Sequence, residues 1–91
     1  MADKMIDGKT ASEWFKLGYK AEDSLRKLEY YGYTTELDPK NGNAWNNRGT
    51  ALVALKRYEE AIQSYDKAIE LDPKKGNAWN NRGVALRQLK R

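Results

Sequence analysis

Cysteine and histidine are both absent from the 91-residue chain. Without thiols there is no disulfide and no cysteine nucleophile, and without imidazole the most versatile general base and the commonest zinc ligand are missing. Long apolar runs are missing too. None approaches the roughly 20 residues of a membrane span, and the opening Met1-Ala2-Asp3-Lys4-Met5 is no secretory signal. A phosphate-binding loop is also excluded: Gly8-Lys9-Thr10 has its ending, but Asp3 stands where its first glycine belongs. The acids Glu59, Glu60, Asp66 and Glu70 interleave with Arg57 and Lys67 as solvated helix charges, with no partner to make them catalytic. The expectation is a soluble, cytoplasmic chain that is not an enzyme and carries no cofactor or metal.

Proline is nearly absent as well, and its two copies punctuate a repeat. Pro39 and Pro73 lie 34 residues apart, as do Trp45 and Trp79, and Gly42 to Gly49 recurs letter for letter as Gly76 to Gly83. Within residues 42–75, Trp45, Gly49, Leu52 and Leu55 keep three- and four-residue steps, and so do Ala61, Ile62, Tyr65, Ala68 and Ile69. Each set makes one apolar stripe on a helix. Lys56-Arg57-Tyr58 reads as the connection, and Asp72-Pro73 as the stop, because proline disfavours helical geometry in the residue before it. Gly49, Ala61 and Ala68 lack the bulk that would hold neighbouring helices apart.

The pattern Trp45-x2-Arg48-Gly49-x2-Leu52, Ala61-x3-Tyr65, Ala68, Pro73 resembles the tetratricopeptide repeat. The resemblance implies an all-α fold: a short right-handed solenoid of helix-turn-helix repeats, about five helices in about two and a half units, whose concave groove binds peptides. Arg48 and Arg82 depart from it, standing where the family usually has leucine, although a long arginine stem still covers apolar surface. The expected organisation is a flexible leader at 1–10 and a repeat domain at 11–91. The domain divides into an irregular first unit at 11–41, a full unit at 42–75 and a half unit at 76–91.

The first unit is the ambiguous one. Thr10 and Glu13 form a capping-box pattern that starts a helix near Ala11, and Trp14-x2-Leu17-Gly18-x2-Ala21 is a good first half. Its second half is poor. Trp14 to Pro39 spans 25 residues where Trp45 to Pro73 spans 28, Lys27 and Thr34 replace the two contact alanines, and Gly32-Tyr33-Thr34-Thr35 is weak in helix formers. One reading places a turn at Glu22-Asp23-Ser24, where Asp23 and Ser24 can cap a second helix. The other fuses residues 11–31 into one long helix that would need another chain, the arrangement of a domain swap.

Glu36 to Lys56 and Glu70 to Lys90 are identical at 17 of 21 positions, a mark of recent duplication or deliberate design. Apart from Asn41/Lys75, the differences are Thr50/Val84, Val53/Arg87 and Ala54/Gln88, which share one side of the helix. The family resemblance puts that side on the groove. Asn43, Asn46, Thr50, Val53 and Ala54 become one stretch of groove wall, and Asn77, Asn80, Val84, Arg87 and Gln88 the next, with Lys74 and Lys75 at the loop. Asn46 and Asn80 carry the donors and acceptors that an extended peptide backbone needs, whereas for Asn43 and Asn77 helix capping is the better reading. The family's clamp for acidic C-terminal tails is matched at Asn47 alone, its other places falling on Phe15, Tyr19, Asn77 and Asn81.

Residues 41–91 carry ten Lys/Arg against five Asp/Glu. That balance suits an acidic partner peptide, or simply a solvated helix face. RNA-reading helical repeats also use asparagines at helix starts, and an isoelectric point near 9.3 fits them, but about two and a half units read too few bases. The competing class is self-assembly into a homo-oligomer. Its apolar contacts would be Leu86 and Leu89 on the last helix, with Leu25, Leu28 and Tyr31 on the irregular unit.

Overall fold

The computed structural model describes residues 4–90, which form five helices: α1 (Ala11–Lys20), α2 (Ser24–Leu37), α3 (Gly42–Ala54), α4 (Tyr58–Leu71) and α5 (Gly76–Leu89). Short loops fold each helix back on the one before it, and every consecutive pair packs together, with α3 also touching α5. Helices α1, α3 and α5 therefore make one layer, and α2 and α4 the other. The smallest extent, 17 Å, is that of two helices side by side.

Local chemistry sets the helix starts. Thr10 and Glu13 complete the capping box: the Glu13 amide donates to Thr10 Oγ1, and the Thr10 amide donates to Glu13 Oε1 at 3.0 Å. Asp23 caps α2 by accepting from the Leu25 amide at 3.0 Å. The first unit is thus folded back on itself, and the fused-helix alternative is not the structure adopted. Asn41, not Asn43, caps α3, accepting from the Ala44 amide at 3.0 Å. In the second copy Lys75 holds that place and makes no side-chain cap. Asn43 and Asn77 lie within the first turn, exposed, because Gly42 and Gly76 are already helical.

Tyrosine into glycine is the recurring interlock. A methyl group added at Gly18 would sit 2.7 Å from Tyr31 Cε1, and one at Gly49 would sit 2.6 Å from Tyr65 Cε1. Each α1/α2 and α3/α4 pair can close only because the first helix offers a bare backbone to the ring of the second. Around this contact Leu52, Ala61, Tyr65 and Ala85 form the core, flanked by Leu28, Val53 and Ile62.

The missing three residues come out of α1, which has 10 residues against 13 in α3. Lys27 makes good the loss. Its ammonium donates to the carbonyls of Gly18 at 2.9 Å and Tyr19 at 3.3 Å, groups that a longer helix would have bonded internally. Helix α2 runs straight through Gly32-Tyr33-Thr34-Thr35. There Thr34 and Thr35 turn their hydroxyls back onto the carbonyls of Tyr30 and Gly32, so both are buried without an unpaired oxygen.

Within the stretch read as a leader, Ile6 to Lys9 closes a tight turn on Asp7 and Gly8, whose φ values of 49° and 75° are both positive. The turn presents the Ile6 carbonyl to the Trp14 indole at 3.0 Å. In the later units the carbonyls of Pro39 and Pro73 take the indoles of Trp45 and Trp79, both at 2.8 Å. The turn thereby supplies to the first unit what the preceding Asp-Pro loop supplies to the others.

Candidate functional site

The layer formed by α1, α3 and α5 carries most of the residues placed on the groove by sequence. On α3, Asn43, Thr50 and Ala54 are exposed, and Val53 is half-buried against the core. Thr50 bonds back to the Asn46 carbonyl at 3.2 Å and lies 3.1 Å from the Tyr65 hydroxyl. On α5, Asn77, Asn80 and Arg87 are exposed, while Val84 and Gln88 are half-buried. Lys74 stands exposed in the loop before α5 with its amide on Asp72 Oδ1 at 3.1 Å, and Lys75 beside it is half-buried.

Asn46 and Asn80 come from identical text and meet different fates. Asn46 is only 7% exposed, and its side-chain oxygen accepts from Asn81 Nδ2 at 3.4 Å because α5 stacks on α3. Among the described residues no helix stacks on Asn80. Asn46 therefore ties two helices together, and Asn80 is exposed.

A feature that the motif pattern did not reveal lies where α1 ends early. There a cleft of about 370 Å³ opens between the two units, lined by Tyr19, Ser24, Lys27, Tyr31, Asn47, Thr50 and Ala51. Tyr19 is 74% exposed at its rim. Burial raises the Tyr31 pKa, with the neighbouring Asn47 amide pulling the other way, and burial likewise raises that of Tyr65 against Thr50. Both phenols thus stay protonated at neutral pH and can donate a hydrogen bond. The three-residue deficit between Trp14 and Pro39 was the signal for this cleft.

A second cleft, of about 460 Å³, lies on the other side between α2 and α3, with Glu29, Gly32, Tyr33, Glu36, Trp45 and Arg48 among its walls. Its cause is visible by comparing the two copies. Arg82 pairs with Asp66 of α4, whereas the place matching Asp66 on α2 is Gly32, which leaves Arg48 to donate to Ser64 and to lie 5.8 Å from the Trp45 ring centre. Missing side-chain volume at Gly32 opens the cleft.

The positions expected to serve self-association divide. Leu25 and Leu89 are exposed, Leu86 is half-buried, Leu28 packs against the core and Tyr31 is buried in the Gly18 contact. Tyr31 is thus occupied within the chain. No helix among the described residues is long and apolar enough to cross a membrane.

Comparison with known proteins agrees with this geometry. Two family models, both described as tetratricopeptide repeat, match residues 42–75 and 64–91. An uncharacterized protein of Methanocaldococcus jannaschii is 37% identical over 60 residues, which covers 63% of this chain and 70% of that protein. The span matched by the family models holds the Trp79–Pro73 indole latch, the Gly49–Tyr65 interlock and the Pro73 stop. Sequence period, packing and similarity all lead to one statement: the chain belongs to the tetratricopeptide repeat family.

Proposed function

We propose that the chain is a non-enzymatic protein-interaction module whose α1, α3 and α5 layer binds an extended, acidic peptide segment of a partner. The observation that carries this reading is the cleft left by the short α1, which opens beside Thr50 on that layer and leaves Tyr19 and Asn47 with polar groups available to a ligand. From there the exposed Asn80 and Arg87 extend the same layer along α5. Asparagine amides and tyrosine hydroxyls suit main-chain donors and acceptors, which are present in any extended peptide. The positive balance of residues 41–91 adds a preference for acidic side chains.

Titration of the labelled chain with acidic and neutral peptides of equal length, followed by amide chemical shifts, tests the proposal. Saturable shifts are expected at Tyr19, Asn47, Thr50 and Asn80 with the acidic peptide. Tyr19→Ala and Asn80→Ala each weaken binding by roughly tenfold, the effect of losing about 1.4 kcal/mol of contact. Shifts confined to the Glu36 and Trp45 side, or equal binding of an oligonucleotide of matched charge, would refute it.

A further inference from the structure

The cleft of about 460 Å³ between α2 and α3 presents two carboxylates without a cationic partner. Glu29 and Glu36 are exposed and two helical turns apart on one face of α2, with Gly32 between them, and neither forms an ion pair among the described residues. The space over Gly32 is open, since a methyl group there would meet nothing within 4 Å. Aromatic surface completes the walls: Tyr33 follows Gly32 on α2 with its hydroxyl 3.4 Å from Glu29 Oε2, and Trp45 lines the α3 side. The nearby cations are engaged elsewhere. Arg48 donates to Ser64 of α4 and lies against the Trp45 ring, and Lys9 lies 5.1 Å from the ring centre of Trp14. Charge on Glu29 first, then slight desolvation, then charge on Asp7 and Glu36 raise the pKa of the Tyr33 hydroxyl, which registers the same negative field. The next interface lacks this chemistry. Gln63, Asp66 and Lys67 stand there in place of Glu29, Gly32 and Tyr33, and Asp66 pairs with Arg82.

We propose that the cleft between α2 and α3 is a second binding site, distinct from the one beside Tyr19, for an arginine side chain in a basic segment of a partner protein. The guanidinium enters over Gly32, pairs with Glu29 and Glu36, and stacks on aromatic surface from Tyr33 and Trp45. Seven residues of helix separate the two glutamates by about 10.5 Å along the axis, so a cation over Gly32 lies within reach of both side chains. Arginine suits this better than lysine, because its planar cation stacks on rings while its fixed fork of donors bonds a carboxylate.

The test titrates the full labelled chain with the peptide Arg-Gly-Arg-Gly-Arg-Gly and with its lysine and glutamate counterparts. Saturable amide shifts at Gly32, Tyr33 and Glu36 and at the Trp45 indole are expected with the arginine peptide, roughly threefold or more weaker binding with the lysine peptide, and none there with the glutamate peptide. Glu29→Gln and Glu36→Gln each weaken arginine binding by roughly two- to fivefold, the effect of losing one partly exposed ion pair. Gly32→Leu fills the cleft without altering its charge; it removes binding and leaves the helical circular dichroism unchanged, because the space is open. Equal affinity for the lysine peptide, binding insensitive to Glu29→Gln combined with Glu36→Gln, or shifts centred on Tyr19 and Thr50 would overturn the proposal. So would tighter binding of the glutamate peptide beside Arg48, or a peptide-free dimer whose contacts cover Glu36.

Discussion

Alanine at Gly49 and alanine at Gly83 are expected to change stability in opposite directions, although both glycines end the same octapeptide. In a helix interior alanine is favoured over glycine by about 0.8–1.0 kcal/mol, chiefly because glycine loses more backbone freedom on folding. At Gly83 nothing opposes that gain, since the space is open. Gly83→Ala should therefore stabilise the chain by about 1 kcal/mol. At Gly49 the new methyl would lie 2.6, 2.8 and 2.9 Å from three atoms of the Tyr65 ring, which is 2% exposed and held within the core cluster with Leu52 and Ala61. The ring cannot move without opening the core, so overpacking of about 1–3 kcal/mol, or more, offsets the propensity gain. A net loss of up to about 2 kcal/mol follows. For a domain of this size each kcal/mol moves the melting temperature by roughly 4–8 °C, so a difference of about 1–3 kcal/mol separates the two variants by roughly 4–24 °C. Urea unfolding followed by helical circular dichroism measures both, with equal m-values showing that the same unit unfolds. If both alanines stabilise, or both destabilise, the interlock does not set the packing of these helices.

Two further expectations come from the caps. Lys75→Asn places in the second copy the residue that caps α3 as Asn41, and should stabilise α5 by about 1 kcal/mol, checked by urea unfolding and by slower amide exchange in its first turn. Hydrogen bonds from the Thr10 amide, then from its hydroxyl, hold the Glu13 carboxyl below its ordinary pKa. A carboxylate depressed in the folded state stabilises the fold above its unfolded pKa, and that contribution is lost as pH falls through the lower, folded value. The start of α1 should thus fray as pH falls through that lower value. A Thr10 amide shift that titrates with the Glu13 carboxyl would show it, and a flat profile would count against the capping box.

Much of the fold was legible because its determinants are local. Thr10 with Glu13 and proline after Asp38 and Asp72 act through neighbours in the chain, so these boundaries could be read directly, whereas the turn at Asp23 competes with a fused helix and the pattern points to Asn43 for the cap that Asn41 provides. Helix α2 was harder. Its run from Gly32 to Thr35 has weak intrinsic preference, and burial against α1 and α3 overrides that preference once the hydroxyls find carbonyls. The Asp7-Gly8 turn also escaped notice, since it has no flanking alternation and its value lies in a carbonyl offered to Trp14.

The candidate site was legible only in outline. Positions that vary between the copies marked one helix face, but the cleft beside Tyr19 depended on how a deletion of three residues was absorbed. The deletion shortened α1 rather than a loop, and Lys27 then bonded the carbonyls it exposed.

Period, helix boundaries and family thus followed from residue order, because each rests on spacing or on contacts within a turn or two. Identical stretches were then made unequal by what stacks on them: α5 buries Asn46, while no described residue buries Asn80; Tyr65 fills the notch at Gly49, while no described residue fills the one at Gly83. Only the stacked helices could make that difference, because burial and close packing are set by neighbours far away in the chain.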